Sequence, residues 1–310
     1  MKKLNRILKH RIITVVVAMM AATTQSFAQQ ADTEKKPDSK PEREYCPSEI
    51  SIWGAGGLST LRYTPESGNR NNRAGGAFGL GYSYYWNKHF GFLFGAELAL
   101  YQSKFTTDGL QDNYNTVDLD VYGNPEKINF RYRLNNYKES QQLWNVNIPL
   151  MLQFQTGRKY ILYAAVGGKV GFPVKGAVGM KKHDLTTTGY FPREGRTYDD
   201  LPQFGLGTFE YLKRSADLDQ LKRHYLLSAE AGLKWKVLKD NGLYSGVFVD
   251  YGLNNMLSVN DKTFVISTLD SEKLVVSPLV ESQISERGRP FTNSIRPLAV
   301  GLKLRFTFLR

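Results

Sequence analysis

Leu298-Ala299-Val300-Gly301-Leu302-Lys303-Leu304-Arg305-Phe306-Thr307-Phe308 places a large apolar residue at every second position. The residues between are small, polar or cationic. A strand has a side-chain period of two, so one face of this segment is an apolar wall and the other carries Lys303 and Arg305. A water-borne sheet buries such a wall against a core. A transmembrane barrel shows it to lipid and turns the polar face into the lumen.

Working back from this strand, seven more strand-like segments precede it, at 50–62, 73–86, 89–104, 141–156, 159–176, 223–238 and 242–256, with the last at 294–309. Their connections alternate in length. Asn87-Lys88, Thr156-Gly157-Arg158-Lys159 and Lys239-Asp240-Asn241-Gly242 are tight turns. The connections near 63–72, 105–140, 178–222 and 257–293 lie at the opposite end, and all but the first are long. A soluble sandwich has no reason to sort its loops this way, whereas outer-membrane barrels do. The expected fold is all-β: a transmembrane antiparallel up-and-down β-barrel of eight strands with long extracellular loops. Two further alternating pairs, 116–121 with 128–132 and 264–266 with 274–276, read as hairpins standing above the membrane. If either were embedded the barrel would have ten or twelve strands, but their charge argues against lipid contact.

Lipid-facing sets follow from the alternation. They are Phe78, Leu80 and Tyr82; Phe90, Phe92, Phe94, Ala96 and Leu98; and Trp144, Val146, Ile148, Leu150, Leu152 and Phe154. Later in the chain come Leu227, Ala229, Ala231, Leu233 and Trp235, and then Val247, Val249 and Tyr251. The first and fifth strands are glycine-rich and leave their facing open. Tyr84, Tyr85, Trp86, Tyr160 and Trp235 cluster by the tight turns, where amphipathic rings prefer a membrane interface, and Trp144 marks the other interface.

The N-terminus reads as an export signal, residues 1–28. Lys2, Lys3, Arg6, Lys9 and Arg11 precede an apolar run from Ile12 to Ala22, too short to span a bilayer. Ser26-Phe27-Ala28 sets cleavage after Ala28. Residues 29–49 are charged and Pro-containing and read as a disordered periplasmic leader, and 50–310 as the barrel. Of 41 Lys and Arg against 29 Asp and Glu, five cations lie in the signal, which leaves an excess of seven in the mature chain. That excess forms no dense basic stripe with interleaved aromatics, so nucleic acid is not an expected partner. Outer-membrane lipid phosphate, lipopolysaccharide and acidic polysaccharide are the partners such cations suit, and ordinary solvated loop charge is the plainer reading. Cys46 is the single cysteine, which rules out an internal disulfide and leaves no Cys/His zinc set.

The lumen-facing positions hold the chemistry. Glu97, Glu230 and Asp250 point inward, as do Lys169, Lys234, Lys236, Lys303 and Arg305. An eight-stranded barrel is only wide enough for side chains to fill it, and buried charges must pair. A carboxylate–cation network is therefore expected, with Lys169, Lys234 and Arg305 as partners of the three acids. The same residues lining a narrow pore or proton path is the competing reading. No nucleophile elbow, zincin or phosphate-loop motif occurs. The protein is not expected to be an enzyme or to bind a cofactor or metal. His224 with Asp217 or Asp219 could imitate a rim site, but a solvated loop histidine is the simpler reading.

Leu143-Trp144-Asn145-Val146-Asn147-Ile148-Pro149-Leu150-Met151-Leu152, followed by Tyr160-Ile161-Leu162-Tyr163-Ala164-Ala165-Val166-Gly167-Gly168-Lys169-Val170-Gly171, resembles the PorT-like group of Bacteroidetes outer-membrane β-barrel domains. Trp86-Asn87-Lys88-His89-Phe90-Gly91-Phe92 is similar to that group's first tight turn. The resemblance spans about 50–310 and implies the outer membrane of a Gram-negative bacterium. It carries over no catalytic residue. Pro149 has no amide for a ladder, so a bulge or bend is expected there. Gly301, Leu304, Phe306 and Phe308 resemble the signal read by the barrel-assembly machinery, although the chain runs on through Leu309-Arg310. Both termini are expected in the periplasm. Three functions suit such a chain. It could be a plugged scaffold presenting loops for binding, adhesion or envelope integrity, an accessory of a secretion or assembly machine, or a small porin-like channel. Function sits on loops held by a rigid frame, which favours the first.

Overall fold

The computed structural model describes residues 48–119, 124–156, 161–182, 184–202, 205–210, 212–238, 241–258, 261–266 and 275–309. The signal segment, its cleavage site after Ala28, Cys46, Tyr160 and His183 lie outside the described residues. So do most of the leader and parts of the second and third tight turns.

Eight long antiparallel strands close on themselves. They are β1 (Ser48–Arg62), β2 (Ala74–Tyr85), β3 (Phe90–Thr107), β4 (Tyr137–Gln155), β5 (Ile161–Lys182), β6 (His224–Leu238), β7 (Asn241–Gly252) and β8 (Arg296–Leu309). Each pairs with its neighbour in sequence, and β8 pairs back onto β1 over a register from Glu49↔Leu309 to Arg62↔Arg296. Closure leaves no free sheet edge in the bilayer, where an unpaired amide would be costly.

The outward positions form an apolar belt. Phe78, Leu150 and Leu302 are 60%, 63% and 68% exposed, a waste of apolar surface in water and the natural state in lipid. The five sets read from alternation all face outward or lie half-exposed at the surface, as does the β8 row. The two open strands are resolved: Ile50, Ile52 and Leu58 face out from β1, and Leu162 and Val166 from β5. Tyr84, Trp86 and Trp235 rim the turn end, but Tyr85 points into the lumen, and Trp144 rims the loop end.

Pro149 lies in no bulge. The β4–β5 register runs through Pro149↔Lys169, and its one shift falls at Trp144/Asn145. On the other side the β3–β4 ladder lapses between Phe94↔Leu150 and Glu97↔Asn147 and resumes in the same register. The missing amide thus costs rungs opposite Gly95 and Ala96 without displacing the strand.

A membrane strand needs only about 9–11 residues, yet β3, β4 and β5 run for 18, 19 and 22. The surplus projects beyond the belt at the loop end. The first alternating pair of the second loop pairs there as Leu110–Leu119 with Pro125–Asn135. It continues the β3–β4 register from Thr107↔Tyr137 to Leu110↔Leu134. Gly109 (φ 69°) and Asn136 (φ 50°), almost opposite each other, take left-handed backbone and turn the hairpin away from the barrel wall. Asp184–Phe191 of the third loop adds to Pro125–Asn135, and short segments at Arg196–Tyr198 and Gly207–Phe209 add to Asp184–Phe191. The result is a second, five-stranded sheet. The second expected hairpin forms two rungs, Val265–Ile266 with Val275–Val276.

Candidate functional site: the barrel interior and the loop dome

The lumen is filled in layers. Nearest the turns, Glu49 accepts from Lys234 Nζ at 2.5 Å and from Tyr244 Oη at 2.8 Å, and Tyr85 Oη lies 3.1 Å from Tyr244 Oη. Arg305 comes next. Its Nη2 donates to Gln153 Oε1 at 2.8 Å, and its guanidinium sits 4.1 Å from the Tyr244 ring centre and 5.4 Å from that of Tyr163. At mid-height Lys303 Nζ donates to Glu230 Oε1 at 2.9 Å and lies 4.7 Å from the Trp53 ring centre.

Nearest the loops, Lys169 Nζ bridges Glu97 at 3.0 Å and Asp250 at 2.8 Å. Trp53 Nε1 and Asn147 Nδ2 also donate to Glu97, and Ser228 Oγ donates to Asp250. The layers thus hold four carboxylates (Glu49, Glu97, Glu230, Asp250) and four cations (Lys169, Lys234, Lys303, Arg305), of which the three lysines pair with the acids, and all but the half-buried Lys234 are fully buried. Buried charge is tolerated when it is paired and hydrogen-bonded on its remaining atoms.

Glu97, Glu230, Asp250, Lys169, Lys234, Lys303 and Arg305 lie inside as expected, but Lys236 does not, and the pairing differs from the expected one. Among the described residues Arg305 has no carboxylate within salt-bridge distance, and it is held by an amide and two aromatic faces. Lys303 takes Glu230 in its place. Glu49, read from the sequence as leader, is the partner of Lys234. Lys236 is exposed at the turn end. His224 is not a loop histidine: it opens β6, is fully buried and lies 3.3 Å from Asn145 Nδ2, whereas Asp217 and Asp219 are exposed. Among the described residues no group of His, Cys, Asp and Glu is arranged to hold a metal.

Small residues make room for large ones in this filling. Trp53 lies across Gly79 and Gly81 of β2, and a Cβ on Gly79 would stand 2.3 Å from the indole. Gly54, on the lipid face, has nothing within 4 Å of such a Cβ. Gly79→Ala should therefore lower the yield of refolded barrel, because overpacking costs about 1–3 kcal/mol. Gly54→Ala should leave it unchanged. The fraction of heat-modifiable protein on unboiled gels reads both, and equal yields would refute the packing argument.

Above the charge layers, one hydrophobic core draws on all four loops. It includes Leu61 and Tyr63, then Phe130 and Leu134, then Leu185 and Leu206, then Phe264, Leu279 and Phe291. Phe264 packs against the rings of Tyr132 and Tyr137 at 5.7 and 5.6 Å, and Phe105 against Phe291 at 5.4 Å. Buried carboxylates tie one loop to another. Asp112 accepts from the Ser285 and Glu286 amides at 2.8 and 2.9 Å, Glu139 from Leu279 N at 2.9 Å and Glu281 from Gln220 N at 3.2 Å. Glu139, in the part of β4 beyond the belt, is pushed above the ordinary carboxyl range by burial. The loops thus form a packed dome over the barrel mouth, which alternation alone did not foretell.

The model of the outer membrane protein beta-barrel domain matches residues 27–258. The chain belongs to this family. Its place is the outer membrane, and the apolar belt is its lipid contact. No curated protein matches the chain. Two solved structures of Ail, the attachment invasion locus protein of Yersinia pestis, resemble it distantly. One, in complex with the heparin analogue sucrose octasulfate, has 11% identity and a TM-score of 0.27. The other has 12% identity and a TM-score of 0.26, and in both 84% of this chain is covered against 99% of Ail. At that distance no residue or role is carried across.

Proposed function

We propose that this protein is a non-conducting outer-membrane scaffold that holds a folded loop dome outside the cell for binding, adhesion or envelope integrity. The observation carrying this reading is the double filling of the interior, by paired charges within the belt and by a hydrophobic core in the dome. In this reading the tight turns and both termini are periplasmic, and the protein is not an enzyme. Gly301, Leu304, Phe306 and Phe308 lie on the strand that closes the barrel, a placement suited to an assembly signal. Among relatives, the Ile148-Pro149-Leu150 motif supports the PorT-like Bacteroidetes group. An accessory role in secretion is the second reading, and the dome as a docking surface favours it equally.

Lipopolysaccharide is the proposed lipid partner. Arg62 and Arg296 stand directly opposite each other across β1 and β8, with Arg62 5.2 Å from the Tyr251 ring centre at the edge of the belt. Like charges in that position are unfavourable, and outer-leaflet phosphates would relieve them.

Conductance tests the scaffold reading. The refolded, heat-modifiable protein should stay silent in a planar bilayer across a wide range of voltages. Steady openings that change when Glu97 is replaced by Gln would make it a channel.

A further inference from the structure

The second sheet has two faces, and among the described residues only one packs into the dome core. Ile128, Phe130, Tyr132 and Leu134 point into the core, as do the buried Asp112 and Glu126. The other face carries Lys127, Asn129, Arg131 and Arg133 on one strand. Gln111, Asn113 and Asn115 stand beside them on the second strand, and Thr186, Thr188 and Tyr190 on the third.

This face is built as a lattice. Arg131 Nε donates to Asn129 Oδ1 at 2.7 Å, and Asn129 Nδ2 donates to Asn115 Oδ1 at 2.9 Å. The Gln111 amide, turned oxygen-first, accepts from Arg133 Nε and Nη2 at 2.8 and 2.7 Å. The Arg131 guanidinium lies 6.0 Å from the Tyr190 ring centre. Both guanidinium planes are therefore oriented by neutral groups. Neither has a salt bridge among the described residues, and Asp184 of this face sits at a corner opposite Asn135. Two residues apart on a strand, Arg131 and Arg133 have Cα atoms about 7 Å from each other and project from the same face. Beside them is a depression of about 410 Å³ bordered by Asn115, Asn129, Lys127 and Val117.

We propose that this face binds an acidic polysaccharide. Preset guanidinium forks match planar or tetrahedral oxyanions and leave their charge for an anion from outside. Side-chain amides and threonine hydroxyls both donate and accept, as sugar hydroxyls do. Tyr190 offers a ring edged by polar groups. A protein partner is a poorer fit, because protein interfaces rest on apolar or aromatic anchors seated in pockets, and among the described side chains of this face Val117 is the one large apolar residue exposed. The face also lies beyond the lipid belt, on the hairpin that β3 and β4 carry upward. The inference rests on the loop-presenting scaffold and names the class of its ligand.

The test uses the full mature chain refolded in detergent micelles. Immobilised dextran sulfate and polygalacturonate are the probes, with unsubstituted dextran and polyglutamate beside them, all read by biolayer interferometry at physiological salt. The protein should bind both acidic polysaccharides and not dextran. The R131Q/R133Q double variant should lose about tenfold or more in affinity, and R131K/R133K should fall between, since it keeps the charge and loses the fork. K138Q/K181Q removes the same charge from exposed lysines of the upper barrel wall and should leave affinity within about twofold. Each variant must keep its mobility shift on boiling, so that lost binding is not lost fold. Equal losses in R131Q/R133Q and K138Q/K181Q would reduce the effect to net charge and overturn the site. Polyglutamate bound as tightly as polysaccharide would overturn it in favour of an acidic protein. A silent barrel with a folded dome that binds neither polysaccharide would overturn the ligand while leaving the scaffold standing.

Discussion

Lys169→Met should shift the loss of the folded, fast-migrating form to a markedly lower temperature on unboiled gels. Lys169 is the one cation bridging Glu97 and Asp250, and all three are fully buried. Methionine fills much the same volume, so the change leaves packing nearly intact and removes the charge. Two carboxylates then remain in the interior without a cation between them. Breaking a buried pair from one side costs about 3–5 kcal/mol, because the abandoned charge keeps its desolvation penalty. The triple variant Lys169→Met, Glu97→Gln, Asp250→Asn should recover most of that loss, since a neutral trio no longer needs the cation. A single variant as heat-stable as the parent would mean that the layer is hydrated and screened, which would also reopen the channel reading.

Phe264→Ala should free the fourth loop without opening the barrel. Phe264 is buried between Tyr132 and Tyr137, and removing a buried phenylalanine ring costs about 3–5 kcal/mol. The neighbouring tethers to Asp112 and Glu139 depend on the same docking. Limited proteolysis should therefore cut within 257–293, at sites protected in the parent. The mobility shift on boiling should persist, because the barrel ladder does not run through this loop. Loss of the shift would show that dome and barrel fold as one unit, and unchanged protection would show that Phe264 does not hold the dome.

Much of the architecture was legible because lipid imposes a strict rule. Every outward residue within the belt must be apolar, so a period of two shows through even where the inner residues vary. The eight strands, the sorted loops and the facing of six strands follow from it. The glycine-rich β1 and β5 were opaque for the complementary reason. Gly54 and Gly56 stand on the lipid face and give no apolar signal there, and Gly167 and Gly171 stand inside, the latter beside His224. Glu49 was hidden because the charged leader runs into β1 with no break in composition.

By itself, the sequence determined which face of each regular strand meets lipid and most of the charges that go inside, since both depend on local alternation; Lys236, exposed at the turn end, and Glu49, buried at the start of β1, are the exceptions. Only the tertiary structure decided which charge meets which. Closing the barrel brings β8 beside β1 and sets Lys303 against Glu230, Lys169 between two acids, and Arg305 among tyrosines. The dome is likewise a tertiary result. Its strands alternate much as barrel strands do, and what turns them into a packed lid is contact between loops that are far apart in the chain. Those contacts form because, beyond the belt, water again makes burying an apolar face favourable.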